Sequence, residues 1–577
     1  MSKKFKLINN IIGWAIGILA SAVYIMTAEP TASWWDCGEY IATTYKLLIG
    51  HPPGAPTFQL IGRVFTLFAG GDVTKAAFCV NCMSAICSGL TIMFLYWTIV
   101  RLGRKMVSKL GEMTPGRTVA IIGSAIVGSL TYTFTDTFWF SAVEGEVYAM
   151  SSFFTALVFW CILKWDEEYD NPKSNTNPNR WIVLIAYLIG LSIGVHLLNL
   201  LTLPAIVLII YFKVSKNASY MGIVQSLAII SFFIGFGLNT GWMIFDWLFI
   251  SIPLFVLCVK KGTVKSLPEW GIFFSLILSF ILLGTILYII VPQIVNLTGK
   301  FEIFAVNSIG LPFHSGSIIF FTLLAALVCW ALYYGYKNRK ANWLAGVYCF
   351  IFILVGYSTF FTLVIRSNAN PTIDENNPED PVALLAYLNR EQYGSKPIIY
   401  GQCYNSRYIG TKDGKPVYTR DDASGKYIIS DYRKDEIPVY NPADMMFFPR
   451  LWSSNHRQNY INWLAAQYNS NSASDKENRR NLEKGKLPTY QQNLKFMHTY
   501  QFDYMYFRYF MWNFSGRQND IQGRNDIDKG NWITGIPAFD KMRLGVKGND
   551  LPASLERPGH NKYYMLPLSL GLIGLIV

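Results

Sequence analysis

Apolar residues run from Ile11 to Ile365 in stretches of about 18–22, the length a helix needs to cross the hydrocarbon core of a bilayer, and polar residues gather between the stretches rather than alternating within them. The pattern predicts eleven spans, near 8–28, 76–100, 118–135, 147–164, 181–199, 201–213, 219–238, 241–259, 270–291, 317–336 and 342–365. The sixth is short and holds Pro204, so the fifth and sixth read either as two crossings or as one broken pair. From Arg366 to Lys562 the chain turns polar and rich in Asn, Asp, Tyr and Arg. There Val382–Arg390 reads as a short amphipathic helix and 400–430 as hairpin-like pieces, with Asp413–Gly414 as the turn signal. Apolar character returns at Tyr564 for about 14 residues, too few to finish a crossing, so a twelfth helix is expected to begin there in a longer chain. The expectation is a polytopic α-helical membrane protein: a transmembrane module at 1–365, an extracytoplasmic α/β soluble domain at 366–563, and the start of a further helix at 564–577.

Charge orients this layout. Only 15% of residues are charged, against about a quarter in soluble domains, which excludes a single soluble globule; the long apolar runs exclude a disordered chain and a transmembrane β-barrel. With the N-terminus in the cytoplasm, the inner segments hold nineteen Lys and Arg and the short outer loops hold four, Lys46, Arg63, Lys75 and Lys300. That asymmetry follows the positive-inside rule and explains much of the +13 net charge, so nucleic acid is not an expected partner. Lys3–Lys6 before an apolar run could begin a cleaved signal, but the length of the run and the many spans after it favour an uncleaved anchor. Cys79 and Cys82 have metal-site spacing, yet lie in a span with no second pair, so packing explains them.

The predicted outer face collects the unusual residues. Asp36 and Glu39, spaced i, i+3, share one face of a helix behind the interfacial pair Trp34 and Trp35, and Gly50–His51–Pro52–Pro53–Gly54–Ala55–Pro56 makes a rigid elbow presenting a histidine, with Arg63 on the next amphipathic stretch. One reading is a carboxylate base beside a cationic pocket for an anionic group. The other is a helix capped by Asp36, with Glu39 paired to Lys46 or Arg63. In the second outer loop Glu144 and Glu146 stand two apart before Tyr148, where mutual repulsion should raise one pKa or recruit a cation; helix N-terminal charge is the alternative. His196, with Asn199, sits near the same depth and is a candidate to touch substrate. No metal ligand set and no nucleotide-binding loop is read from the spacing, and no cofactor is expected, though a divalent metal is not excluded. The segment Phe496–Phe514, with Arg508 in its middle, reads either as an interfacial helix or as domain core.

The runs Ser33–Trp–Trp–Asp36–Cys–Gly–Glu39–Tyr, Gly50–His–Pro–Pro–Gly–Ala–Pro56 and Ala142–Val–Glu144–Gly–Glu146–Val–Tyr148 resemble a bacterial membrane family known as domain of unknown function 2723 and grouped as glycosyltransferase family 117. The resemblance implies a GT-C fold, a polyprenyl-phosphate-linked sugar as donor, no bound nucleotide, and transfer to Ser or Thr of secreted proteins in the manner of a protein O-mannosyltransferase. It implies Asp36 as catalytic carboxylate with Glu39 as neighbour or substitute, His51 and Arg63 toward the lipid phosphate, and Glu144, Glu146, Tyr148 and His196 along the cleft. The implied setting is a bacterial inner membrane, among its lipids, with the soluble domain periplasmic. Two other classes stay open: transfer to a glycolipid or envelope glycan, and an ion-coupled transporter or flippase. A transporter predicts acids at the bilayer midplane and inverted repeats, whereas these acids cluster at the outer edge.

Overall fold

The structure, a computed structural model, describes residues 3–109, 111–170, 177–215, 270–394, 396–468, 471–524, 526–545 and 558–576. They form two compact units, one from Met1–Ala218, Gly271–Gly394 and Val417–Asp431, the other from Ser395–Pro416 and Tyr432–Val577.

The first unit is helical. Its chain order begins α1 (Lys3–Met26), α2 (Cys37–Lys46), α3 (Pro56–Thr66), α4 (Ala76–Ser108), α5 (Pro115–Thr133), α6 (Asp136–Ala142), α7 (Val147–Tyr169), α8 (Arg180–Ile193) and α9 (Leu203–Val214). Among the described residues seven helices are long and apolar enough to cross a membrane, or eight if α5 and α6, bent by 68°, count as one. The expected spans at 219–238 and 241–259 lie outside the described residues. The fifth is only α8, 14 residues, and the chain breaks at Gly194–His196 before a 3-10 turn, Leu197–Thr202, leads into α9. The ninth is longer than expected. Helix continues through 292–309, read from sequence as loop: Pro292 is carried within it directly after the π-type turns of Thr285–Ile290, and the polar Gln293 and Asn296 hydrogen-bond each other at 2.8 Å.

The bundle is built on close helix contacts. α4 packs on α1, α5 and α7, and α7 on α8, which crosses the Ala341–Tyr357 helix. At that crossing Gly190 and Gly356 face each other; a Cβ on Gly190 would stand 2.3 Å from the Ile353 carbonyl, the small-residue contact that lets membrane helices approach. Buried Glu302 accepts hydrogen bonds from the backbone N–H of His314 and of Ser317, placing its charge at the N-terminus of the Ser315–Lys337 helix, where the dipole favours it.

The helical unit also takes in 366–394 and 417–431, which the sequence reading placed in the soluble domain. Ile49 N donates to Ile373 O at 3.0 Å, and the strands β3 (Val417–Asp421) and β4 (Lys426–Asp431) form an antiparallel hairpin clipped to Asn307 through both backbone groups of Tyr427. The hairpin turn is therefore Asp422–Gly425, with Gly425 at φ 64°, and not Asp413–Gly414. Asp413–Gly414 follows β2 (Tyr408–Lys412), whose partner is the distant β5 (Ile437–Tyr440).

The second unit combines short two-stranded ladders with helices. Beside β2 and β5, β1 (Tyr400–Gln402) pairs with β6 (Met445–Phe447), and a core of Leu451, Tyr460, Leu464 and Phe496 joins the Arg457–Ala466 helix to Tyr490–Phe496. The aromatic segment is part core: Tyr504, Met511 and Trp512 are buried, while Phe502, Tyr506, Phe507 and Tyr509 are exposed. Arg508 is buried among the faces of Tyr504, Tyr509 and Trp512, 4.1, 4.7 and 5.2 Å from their centroids.

Candidate active site

Asp36 occupies the N-cap position of α2 but makes no side-chain cap bond, and its carboxylate has no hydrogen-bond partner among the described residues. The preceding Trp35 adopts φ 62°, a left-handed conformation costly for an indole, and both Trp34 and Trp35 point outward, 81% and 93% exposed. The turn thus displays two aromatic side chains and leaves an acid open to solvent.

One helical turn later, Glu39 meets the elbow. His51 N donates to Glu39 Oε1 at 2.6 Å, and His51 Nδ1 lies 3.0 Å from both Glu39 oxygens. Gly50 makes this approach possible, since a Cβ there would stand 2.5 Å from Glu39 Oε1. The elbow is held from below by the buried Tyr387, whose hydroxyl donates to Gly50 O at 2.6 Å and fills the space a side chain at Gly54 would need. Each partner stabilises the other's charge: the His51 hydrogen bond holds the Glu39 carboxyl below the usual range, and the same bond pushes the imidazole up. Glu39 therefore pairs with His51 rather than with Lys46 or Arg63. Tyr40 wedges edge-on between the rings of His51 and Phe58, at 5.6 and 5.4 Å.

Behind this pair stand the acids of the second loop. Glu144 is buried, its carboxyl pushed up by burial, and accepts from Cys37 Sγ at 3.7 Å. The thiol is itself driven up to about 12, chiefly by burial, which leaves it a packing group rather than a nucleophile. Glu146 caps α7 through Val147 N at 2.8 Å. Its carboxyl is pushed up to about 7, first by burial and then by the charges of Asp36 and Glu144. Tyr148 follows, and its ring packs 5.5 Å from that of His196. His196 Nδ1 accepts from Leu198 N at 3.1 Å at the break before α9.

The structure therefore brings Asp36, Glu39, His51, Glu144, Glu146, Tyr148 and His196 into one neighbourhood. It does not bring Arg63 there. Arg63 donates to the Tyr45 carbonyl at 2.6 Å and lies over the Tyr45 ring, about 9 Å along α2 from Glu39 at a rise of 1.5 Å per residue. Two features escaped the sequence reading. Buried Asn81 donates to the carbonyls of Glu29 and Thr31 at 2.5 and 3.0 Å, fixing the loop that ends at Asp36; a lone Asn inside an apolar span was its only signal. One ligand atom from each of Asp36, Glu39 and His51 also lies within 4.8 Å of the others, a set able to hold a metal ion. The eleven residues between Glu39 and His51 hid it.

Residues 36–219 match the family described as Protein O-mannosyl-transferase TMEM260 N-terminal domain, and residues 394–498 match a family of unknown function, DUF8416. The chain is similar to Protein O-mannosyl-transferase tmem260 of Dictyostelium discoideum, 25% identical over 194 residues, which is 33% of this chain and 22% of that protein. It is also similar to Protein O-mannosyl-transferase TMEM260 of Mus musculus, 25% identical over 156 residues, 26% of this chain and 20% of that protein. The chain thus spans about a fifth of the length of these curated relatives. No solved structure matches it. The first match is to the N-terminal domain of a protein O-mannosyl-transferase family, and it covers every one of these residues, from Asp36 to His196.

Proposed function

We propose that the chain is a membrane glycosyltransferase of the O-mannosyltransferase type, with a GT-C fold. It moves a sugar from a polyprenyl-phosphate carrier to a hydroxyl of Ser or Thr on a secreted protein, at the extracytoplasmic face of a bacterial inner membrane. The observation that carries the reading is the unpartnered Asp36 carboxylate beside the Glu39–His51 pair, inside the stretch that resembles the relatives' N-terminal domain. Asp36 takes the proton of the acceptor hydroxyl as its oxygen attacks the anomeric carbon. The bond from that carbon to the phosphate oxygen breaks, its electron pair leaves with the lipid phosphate, and single displacement inverts the anomeric centre. His51, whose protonated form the Glu39 carboxylate favours, would meet the leaving charge through Nε2. Glu146 holds a proton near neutral pH and lowers the repulsion among the acids. A lipid-anchored donor accounts for recognition without a nucleotide site.

A second reading of the same cluster is favoured by its geometry: Asp36, Glu39 and His51 would hold a divalent cation, which would polarise the donor phosphate. Chelator sensitivity of transfer, restored by added metal, separates the two readings.

The experiment is a glycoproteomic comparison of wild type with the Asp36→Asn, Glu39→Gln double variant at equal membrane levels. Loss of a hexose from Ser and Thr sites is expected. Unchanged protein glycans alongside an altered envelope glycolipid would overturn the protein acceptor and leave the transferase; no change in either would overturn transfer itself.

A further inference from the structure

The second unit holds a cavity of about 1020 Å³, at the upper end of the roughly 300–1,000 Å³ typical of ligand sites. It is framed by the Arg457–Ala466 helix and by the wide π-type turns of Met497–Phe507, a helix form that recurs at functional sites. Along one wall runs an aromatic ladder in which Trp463 and Tyr500 are half-buried and Phe496 and Tyr504 are buried. Phe496 and Tyr500 stack with centroids 4.9 Å apart and planes at 17°, and Tyr500 and Tyr504 at 5.9 Å and 24°. Trp463 stands edge-on to Tyr500 at 4.9 Å, its indole fixed by a 2.9 Å hydrogen bond to Thr499 Oγ1. Facing the rings are the amides of Asn459, Gln467, Gln501 and Gln522, whose side chains make no hydrogen bond among the described residues. Lys396, Arg450 and Arg524 also line the cavity, and no carboxylate does.

We propose that this cavity binds an oligosaccharide bearing an anionic substituent. A pyranose ring presents a C–H face that packs on an aromatic ring and a rim of hydroxyls that each donate and accept. A primary amide likewise donates and accepts from one group, so it pairs with neighbouring hydroxyls. A lipid chain would leave four amides unsatisfied. An extended peptide binding by strand addition needs a free sheet edge, whereas no strand residue lines this cavity. Three cations without an opposing acid select for a uronate or similar charge. The inference stands apart from the transferase reading, because none of its residues belongs to the cluster around Asp36 and the second unit carries its own walls.

The test uses the full chain in lipid nanodiscs on a printed array of neutral and uronate-bearing oligosaccharides, followed by titration of the best ligand. Retention of uronate-bearing chains of three or more sugars over their neutral counterparts is expected. Asn459→Ala with Gln501→Ala, at an exposed and a half-buried site, should weaken binding about tenfold, the worth of one or two hydrogen bonds, without moving the melting temperature. Arg524→Ala should remove the preference for the charged sugar. The Asp36→Asn variant should bind as wild type, so failure of transfer and failure of binding are read separately. No retention, equal affinity for neutral sugars, or binding that the amide variants leave intact each overturns the proposal.

Discussion

The two ends of α7 carry the same kind of residue in opposite circumstances. Its N-terminal end begins at Glu144 and Glu146 beside Asp36 and Glu39, four acids whose one ion-pair partner among the described residues is His51. Its C-terminal end carries Asp166, Glu167, Glu168 and Asp170, and each is matched. Asp166 takes Lys105 and Lys213 at 2.8 Å each, Glu168 takes Arg180 at 3.0 Å, Glu167 takes Arg101, and Asp170 shares Lys213. Matched charge holds helices together. At the open end burial pushes the Glu144 and Glu146 carboxyls up, a pattern that clusters at functional sites. The same helix is thus pinned by matched charge at one end and leaves unneutralised acids at the other.

The sharpest way to break this contrast is to neutralise the open end. Asp36→Asn should lower transfer by about 100- to 10,000-fold, the range for removal of a catalytic base, with the melting temperature unchanged because the carboxylate anchors nothing. Full activity in this variant, measured on an acceptor peptide with a lipid-linked sugar, would move the base to Glu39. Gly50→Ala comes next. Its Cβ would meet Glu39 Oε1 at 2.5 Å and push the Glu39–His51 pair out of register, and a displacement of about 1 Å at a reacting group can cost about 100-fold. The drop should appear in kcat with little change in KM.

Glu146 gives the contrast a pH dependence. Its carboxyl rises to about 7 in the fold from an ordinary 4.5. Between those values the folded chain holds a proton that the unfolded chain has lost, so stability falls as pH rises through that window and the full cost of the buried charge is felt above it. Glu146→Gln removes that slope: relative to wild type, the variant should melt higher at pH 8 and gain nothing near pH 4. An inflection near pH 7 in the activity profile should vanish with it. At the other end, Lys213→Ala strips Asp166 of one of two cations and should cost about 1–3 kcal/mol of stability, less than breaking a buried pair outright, with activity per folded molecule unchanged. A loss of activity at constant stability would erase the distinction between the ends.

How far the sequence carried the site depends on how local each contact is. Asp36, Glu39, Glu144 and Glu146 were legible because charge in an apolar context is costly wherever it sits, and seven of the eleven predicted spans, or eight with the bent α5–α6 pair, coincide with described helices long and apolar enough to cross a membrane. The Glu39–His51 pair was not, because a seven-residue turn folds back across it and only coordinates show which cation arrives first. The hairpin at β3 and β4 was misplaced for a related reason. Asp–Gly is a strong turn signal, but strand partners are chosen by long-range pairing, and β2 pairs with β5. Helix at 292–309 was missed because Gln293 and Asn296 satisfy each other on an exposed face, so polar residues there do not mark a loop.

The smallest expected effect concerns Arg63, which the family resemblance placed toward the lipid phosphate. Its guanidinium donates to the Tyr45 carbonyl and to Thr66 Oγ1 at 3.2 Å, near the C-terminus of α2, where a cation complements the exposed carbonyls and the dipole by about 0.3–1 kcal/mol. Arg63→Lys keeps that charge and should leave KM for the lipid-linked sugar within about twofold, while Arg63→Gln should lower the melting temperature slightly by the same helix-end contribution. A phosphate ligand behaves otherwise: losing a charge-assisted hydrogen bond worth about 1.5–3 kcal/mol raises KM more than tenfold. Paired KM and melting measurements on the two variants therefore decide whether Arg63 belongs with the matched charges that hold the fold or with the open end that faces the substrate.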